Sequence, residues 1–211
     1  QCIQGVNMTG SRPFFETIFG EDWATMPKVF HAHYANRTHK RDVVRVSGKM
    51  DIRQSWIMRL AAPLFRMTKT LVPIDRKGVN TEVFFRTHVD SDAFWYHRHF
   101  HLGTDDTYVF VSRLEHMGGN QVTEWTRSGI GWHSTFMFDG TRVRLGHIGY
   151  RIKLGRLTMP LPATWLFGVP SAWEEAIDKN HFRMEMTIRH WLFGFLYSYS
   201  GEFEIAEVNL A

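Results

Sequence analysis

A single cysteine, Cys2, stands in the whole chain, so neither an intrachain disulfide nor a thiolate metal cluster can form. Its place beside the first residue is wrong for a buried nucleophile. No apolar run is long enough to span a bilayer as a helix, and no basic-then-apolar leader opens the chain. Met8 reads as a native initiator, with residues 1–7 a vector-derived or disordered lead-in, and a cytoplasmic protein is expected. Also missing are a glycine-rich nucleotide phosphate loop, a Gly-x-Ser-x-Gly elbow and a His-Glu-x-x-His element. These absences exclude a stand-alone kinase or dehydrogenase. Basic residues are scattered rather than blocked, so no nucleic-acid arm is present.

What is present describes one folded domain spanning 1–211. Hydrophobic residues make up 44% and charged residues 22%, the balance of a globular protein. Aromatic residues reach 15%, with 8 Trp and 17 Phe, which tilts the chain toward pleated structure. The net charge of +4, with 12 His in reserve, leaves room for an acidic ligand or an anionic membrane surface.

The first part reads as helical. Ser11 before Pro13 resembles a cap, Phe14, Phe15, Ile18 and Phe19 form an apolar face, and Gly20 ends it. A second helix starts at Pro27 with Val29, Phe30, His33 and Tyr34 inward. Residues 42–52 read as the first strand. Gln54 to Leu71 has helical spacing, with Pro63 expected to kink it or split it in two. This segment, 56–71, carries Arg59, Arg66 and Lys69; it is read as a lid over a barrel mouth or as a membrane-surface helix.

From residue 78 the pattern is β: strands at 80–88, 93–101, 107–117, 121–127, 131–138 and 141–152, with Asp139-Gly140 as a hairpin signal. Pro160 to Pro170 reads as a stiff connector. Residues 171–178 fit either a capping box (Ser171, Glu174) or a strand. Two last strands show apolar faces at Phe182, Met184, Met186 and Ile188, then at Phe195, Tyr197, Tyr199, Phe203 and Ile205. The fold expected is mainly β, with minor α+β character: a curved antiparallel sheet closing into a lipocalin-like barrel or half-barrel. N-terminal helices and a short helical lid would cover it.

One strand carries two patterns. In the run 95–101, His97, His99 and His101 point to one face, and Tyr96, Arg98 and Phe100 to the other. The histidines could share a metal if a further ligand joined them, and would in any case hold zinc or nickel adventitiously. No cofactor is otherwise expected. Arg98 between two aromatics is the stronger candidate, either anchoring a ligand's polar or acidic end or pairing with Glu124 or Glu115.

The chain resembles the bacterial domain-of-unknown-function family 4166. The resemblance rests on Val46-Ser47-Gly48, on Tyr96, Arg98 and Phe100, and on Thr123-Glu124 after a Gly-Gly turn. It continues through Leu154-Gly155, Leu157 and Pro160-Leu161-Pro162, then Phe193-Gly194 and Tyr199-Ser200-Gly201. The histidines lie outside this pattern. The resemblance implies no particular reaction; it implies at most a role beside small-molecule metabolism, with an NAD(P)-binding dehydrogenase-like partner.

Three functional readings follow. In the first, a barrel cavity binds a hydrophobic small molecule with a polar or acidic end through Arg98, Tyr96, Phe100, Tyr108, Phe110, Ser112, Trp132 and Phe136. The second is a cofactor-independent cyclase, isomerase or hydrolase in the same cavity, with Glu124 and His116 as acid and base. The third is a peripheral membrane or partner-docking module using residues 56–71.

Overall fold

The computed structural model describes residues 12–155 and 157–211, so Ser11, Cys2 and the 1–7 lead-in lie outside it. Three short elements come first: α1 (Phe14–Phe19), a 3-10 turn (Gly20–Thr25) and α2 (Lys28–His33). Pro13 and Pro27 sit just ahead of the two α-helices, where a missing N–H leaves no intrahelical bond unmade. Gly20 ends α1 at φ +57°, a conformation that a side chain would strain.

The strands follow: β1 (Val43–Gln54), β2 (Arg76–Arg86), β3 (Phe94–His101), β4 (Thr107–Gly118), β5 (Gln121–Thr126) and β6 (Ile130–Phe138). Then come β7 (Arg142–Leu154), β8 (Leu157–Leu161), β9 (Val169–Ala176), β10 (His181–His190) and β11 (Gly194–Asn209). Between β1 and β2 lies α3 (Trp56–Thr68), and between β8 and β9 lies α4 (Thr164–Phe167). Neighbours run antiparallel in the order β6-β5-β4-β3-β2-β1-β11-β10-β9-β7, and β6 pairs with β7 to close a barrel of ten strands. The eleventh strand, β8, hangs on the far half of β7. Arg142–Leu145 of β7 pairs with β9, while Tyr150–Leu154 pairs with β8.

Closure makes one face of every strand an interior. In β3 burial alternates strictly: Phe94, Tyr96, Arg98 and Phe100 point in, and the histidines point out. One end is plugged by α1 and α2, whose Phe15 ring lies 4.3 Å from Tyr34 and 5.1 Å from Phe94. Each ring buried there contributes about 2 kcal/mol. Asp42 binds this plug to the wall: its carboxylate accepts two guanidinium bonds from Arg37, at 2.8 and 2.9 Å, and the Ala211 N–H at 2.8 Å.

The opposite end is covered by α3. Ser55 caps it by accepting from the Met58 N–H, Met58 and Phe65 pack onto the core, and Val72 is buried behind it. The Val72 carbonyl accepts from Gln54 and Tyr197, and the Leu71 carbonyl from Tyr108, which fixes the return strand under the helix.

Several sequence expectations need correction. Pro63 does not split α3, which runs as one assigned helix from Trp56 to Thr68. Proline removes one backbone donor, and the flanking turns carry the helix past it. The stiff connector 160–170 holds the end of β8, all of α4 and the start of β9. Pro160 is tolerated because β8 is an edge strand, where a missing N–H breaks no second ladder. Within 171–178, residues 171–176 are strand, since β9 is paired on both sides, and 177–178 begin the turn to β10. The 139–140 hairpin holds, with the Asp139 carboxylate accepting from the Thr141 and Arg142 N–H groups. Those bonds and Arg144 bring its pKa down to about 2.

Candidate functional site

The mostly apolar interior holds two polar groups facing each other, the first built on Arg98. Arg98 donates to Ser112 Oγ at 2.7 Å and to Glu124 Oε1 at 2.9 Å. These three side chains meet because Arg98, Ser112 and Glu124 sit on inward positions of consecutive strands β3, β4 and β5. The guanidinium carbon lies 4.5 Å from the Tyr96 ring centre and 5.2 Å from that of Phe110, so aromatic faces flank the charge. Of the two carboxylates weighed for Arg98, Glu124 is its partner. Glu115 points outward to Trp125, Arg113 and Lys153.

Across the barrel stands a carboxylate from the stretch that fitted either a capping box or a strand in the sequence. Glu174, inward on β9 between Ala172 and Ala176, accepts a hydrogen bond from the Tyr34 hydroxyl and lies 3.5 Å from His33 Nε2. Burial pushes its pKa up. His33 and Tyr34, with the Arg98 charge behind them, more than reverse this, and the net direction is downward. The second His33 nitrogen, Nδ1, is buried without a partner. Burial raises the Tyr199 phenol to about 12 and also lifts Tyr96 well above the usual phenol value, so both stay protonated.

These groups enclose a cavity of about 50 Å³, room for a few waters. Its polar wall is His33, Tyr96, Arg98, Glu174 and Tyr199. Met50, Met184, Val46, Phe182 and Phe203 supply most of the rest.

Of the candidate binding and catalytic residues read from the sequence, only Tyr96 and Arg98 line this cavity. Ser112 and Phe110 hold Arg98 from behind, with Glu124, while Phe100 is packed in the core. Tyr108 serves the α3 end through Leu71. Trp132 donates to His147, and Phe136 belongs to the plug, 5.4 Å from the Phe15 ring. His116 is a correction. It lies exposed near the end of β4, at the plugged end of the barrel, with its ring 6.4 Å from that of Phe14 and Nε2 2.7 Å from the Gly119 carbonyl. The structure does not bring it to Arg98. His101 contacts Thr107 and Glu82, and the His99 ring lies tilted 5.2 Å from that of Phe84. No three His, Cys, Asp or Glu side chains converge on a metal-sized site among the described residues.

The depressed pKa values give a pH signature. Glu174 and Asp42 are both held below the usual carboxylate range, so the stability they contribute is present above that range and lost as pH falls through their lowered values. Melting temperature is expected to fall on acidification below about pH 4.5, and Glu174→Gln should flatten part of that fall. An unchanged profile in the variant would remove Glu174 from the account.

Among solved structures, one described as "Insights into Substrate Modification by Dehydratases from Type I Polyketide Synthases" is 12% identical. The match covers 85% of this chain and 84% of that chain at a TM-score of 0.18, too weak a likeness to carry an argument. No curated protein matches the chain. The model of the domain of unknown function DUF4166 matches residues 26–203, and the chain belongs to that family.

Proposed function

We propose that the barrel binds a small molecule with an apolar body and a neutral hydrogen-bonding end, held between Arg98 and the His33–Glu174 pair. The observation that carries this reading is a buried polar wall on an otherwise apolar cavity inside the barrel. Ligand sites have this composition: apolar lining with a few convergent polar groups. The charge balance selects the ligand's end. Two interior carboxylates face one guanidinium already bonded to Glu124 and Ser112, so an acidic group would meet net repulsion, whereas a hydroxyl, carbonyl or amide would not.

The cavity is smaller than the usual few hundred cubic ångströms, and Met50 and Met184 supply the give. Their unbranched thioether chains repack at low cost around a guest. Native mass spectrometry of freshly purified protein should detect a retained small molecule, and a neutral lipophilic dye such as N-phenyl-1-naphthylamine should compete with it. Met184→Trp, which fills the cavity, should abolish both signals while the fold persists. An empty wild-type protein that ignores the dye would overturn the reading.

A second reading has its own observation. His33 has one nitrogen near a carboxylate and the other unpaired, beside the cavity, which is the arrangement of a base and its orienting group. If the barrel catalyses a reaction, His33 with Glu174 is the acid–base pair, in place of Glu124 with His116. Glu174→Gln would then abolish turnover of the retained molecule while leaving it bound.

A further inference from the structure

The barrel end under α3 presents a second feature, unconnected with the cavity's chemistry. Trp56, Leu60, Leu64 and Met67 recur every three or four residues along α3, so they form one stripe. It is the outward stripe, opposite Met58 and Phe65: Trp56 is 69% exposed, Leu60 74% and Met67 76%. Two other segments bring the same composition to this end. Trp165-Leu166-Phe167 forms α4, and Trp191-Leu192-Phe193 forms the β10–β11 turn, with Trp191 76% exposed.

These pieces are adjacent. The Trp165 carbonyl lies 2.6 Å from His190 Nε2 and accepts from the Trp191 indole, while the Ser55 N–H at the head of α3 donates to Leu196 of β11. Three exposed tryptophans on three protruding segments therefore share one rim. An ordinary globular surface scatters such residues singly.

Charge says what covers this rim. The described residues of the three segments 51–81, 145–172 and 186–201 hold six, two and one Lys or Arg, of which Lys153 pairs with Glu115, against two acids, Asp51 and Asp75. Both acids are engaged, Asp51 by the Gly78 N–H and Asp75 by Arg59. The smaller loops at this end add Asp105, Asp106 and Arg127, which leaves the excess strongly positive. Arg53, Arg66 and Arg189 have no ion pair among the described residues, and Arg59 and Arg66 lie along one flank of the apolar stripe. Tryptophan and aliphatic side chains bordered by unpaired arginines match the interfacial layer of an anionic bilayer: rings at headgroup depth, cations on the phosphates.

We propose that this end of the barrel docks on anionic lipid surfaces, with α3, α4 and the 191–193 turn inserted into the headgroup region.

Vesicle flotation tests the proposal. Wild-type protein should float with phosphatidylcholine vesicles containing about 30 mol % phosphatidylglycerol, stay behind with pure phosphatidylcholine, and be released by salt of about 0.5 M. The double variant Leu60→Glu/Trp191→Glu changes only exposed side chains. It should keep the wild-type circular dichroism and melting temperature while losing at least about tenfold in vesicle affinity. No flotation at low salt overturns the proposal, as does flotation that the variant leaves intact. Self-association abolished by the variant, without vesicle binding, would assign the rim to a second copy of this chain instead.

Discussion

Replacing Arg98 with methionine should destabilise the barrel by about 3–5 kcal/mol, read as a lowered urea midpoint with an unchanged denaturant slope. The change removes the guanidinium that both Glu124 and Ser112 face, and strands a carboxylate whose side chain is only 19% exposed. Much of the loss is the desolvation of Glu124, so Arg98→Met/Glu124→Leu should recover most of it. The coupling between the two sites in the double-mutant cycle should exceed about 1.5 kcal/mol. If the single variant unfolds within about 1 kcal/mol of wild type, the pair is a bystander in the interior.

The second large effect is expected at Gly48. A Cβ built there would stand 2.1 Å from the Glu202 carbonyl oxygen and 2.8 Å from the Phe203 ring, and one at Gly201 would stand 2.4 Å from the Lys49 carbonyl. Strands β1 and β11 touch backbone to backbone across Gly48↔Phe203 and Met50↔Gly201, leaving no space for a methyl group. Gly48→Ala must push the two strands apart, at about 3 kcal/mol or more, since the obstacle is a carbonyl rather than a flexible side chain. Thermal unfolding of Gly48→Ala beside Gly149→Ala, where a Cβ meets nothing within 4 Å, separates the clash from a general loss of glycine. Equal melting temperatures for the two variants would disprove the close approach.

Much of this architecture was written locally. Alternation in 95–101 gave the inward face of β3, and the Val29, Phe30, His33, Tyr34 spacing gave the inward face of α2, because both depend only on the period of the backbone. The family motifs gain their sense in three dimensions: Arg98 meets Glu124, and the Gly48 motif is pressed against the strand holding the Gly201 motif. What stayed hidden is long-range. Glu174 lies 140 residues from Tyr34, and nothing near Ser171 in the chain distinguishes a capping box from a strand paired on both edges. Ala172 and Ala176 beside it were the available hint: small neighbours leave an interior acid room for large partners. His116 misled for the opposite reason. It keeps the inward parity of β4, yet sits at the exposed end of the strand beside Phe14 of the plug, far from Arg98 along the barrel.

The β1–β11 joint also determines how the molecule assembles and comes apart. Every other ladder joins strands near in sequence, whereas this one joins Val43 to Asn209 and Gln54 to Tyr197. Bringing such distant segments together costs on the order of 4–5 kcal/mol of chain entropy before any contact rewards it, so this is the joint that closes late in folding. Late contacts govern the rate of opening rather than the rate of folding, so weakening them shortens the native lifetime. Val46 and Met50 from one side of the joint, and Tyr199 and Phe203 from the other, wall the cavity. A guest held there bridges the closure itself, and its residence time becomes part of the barrel's own persistence.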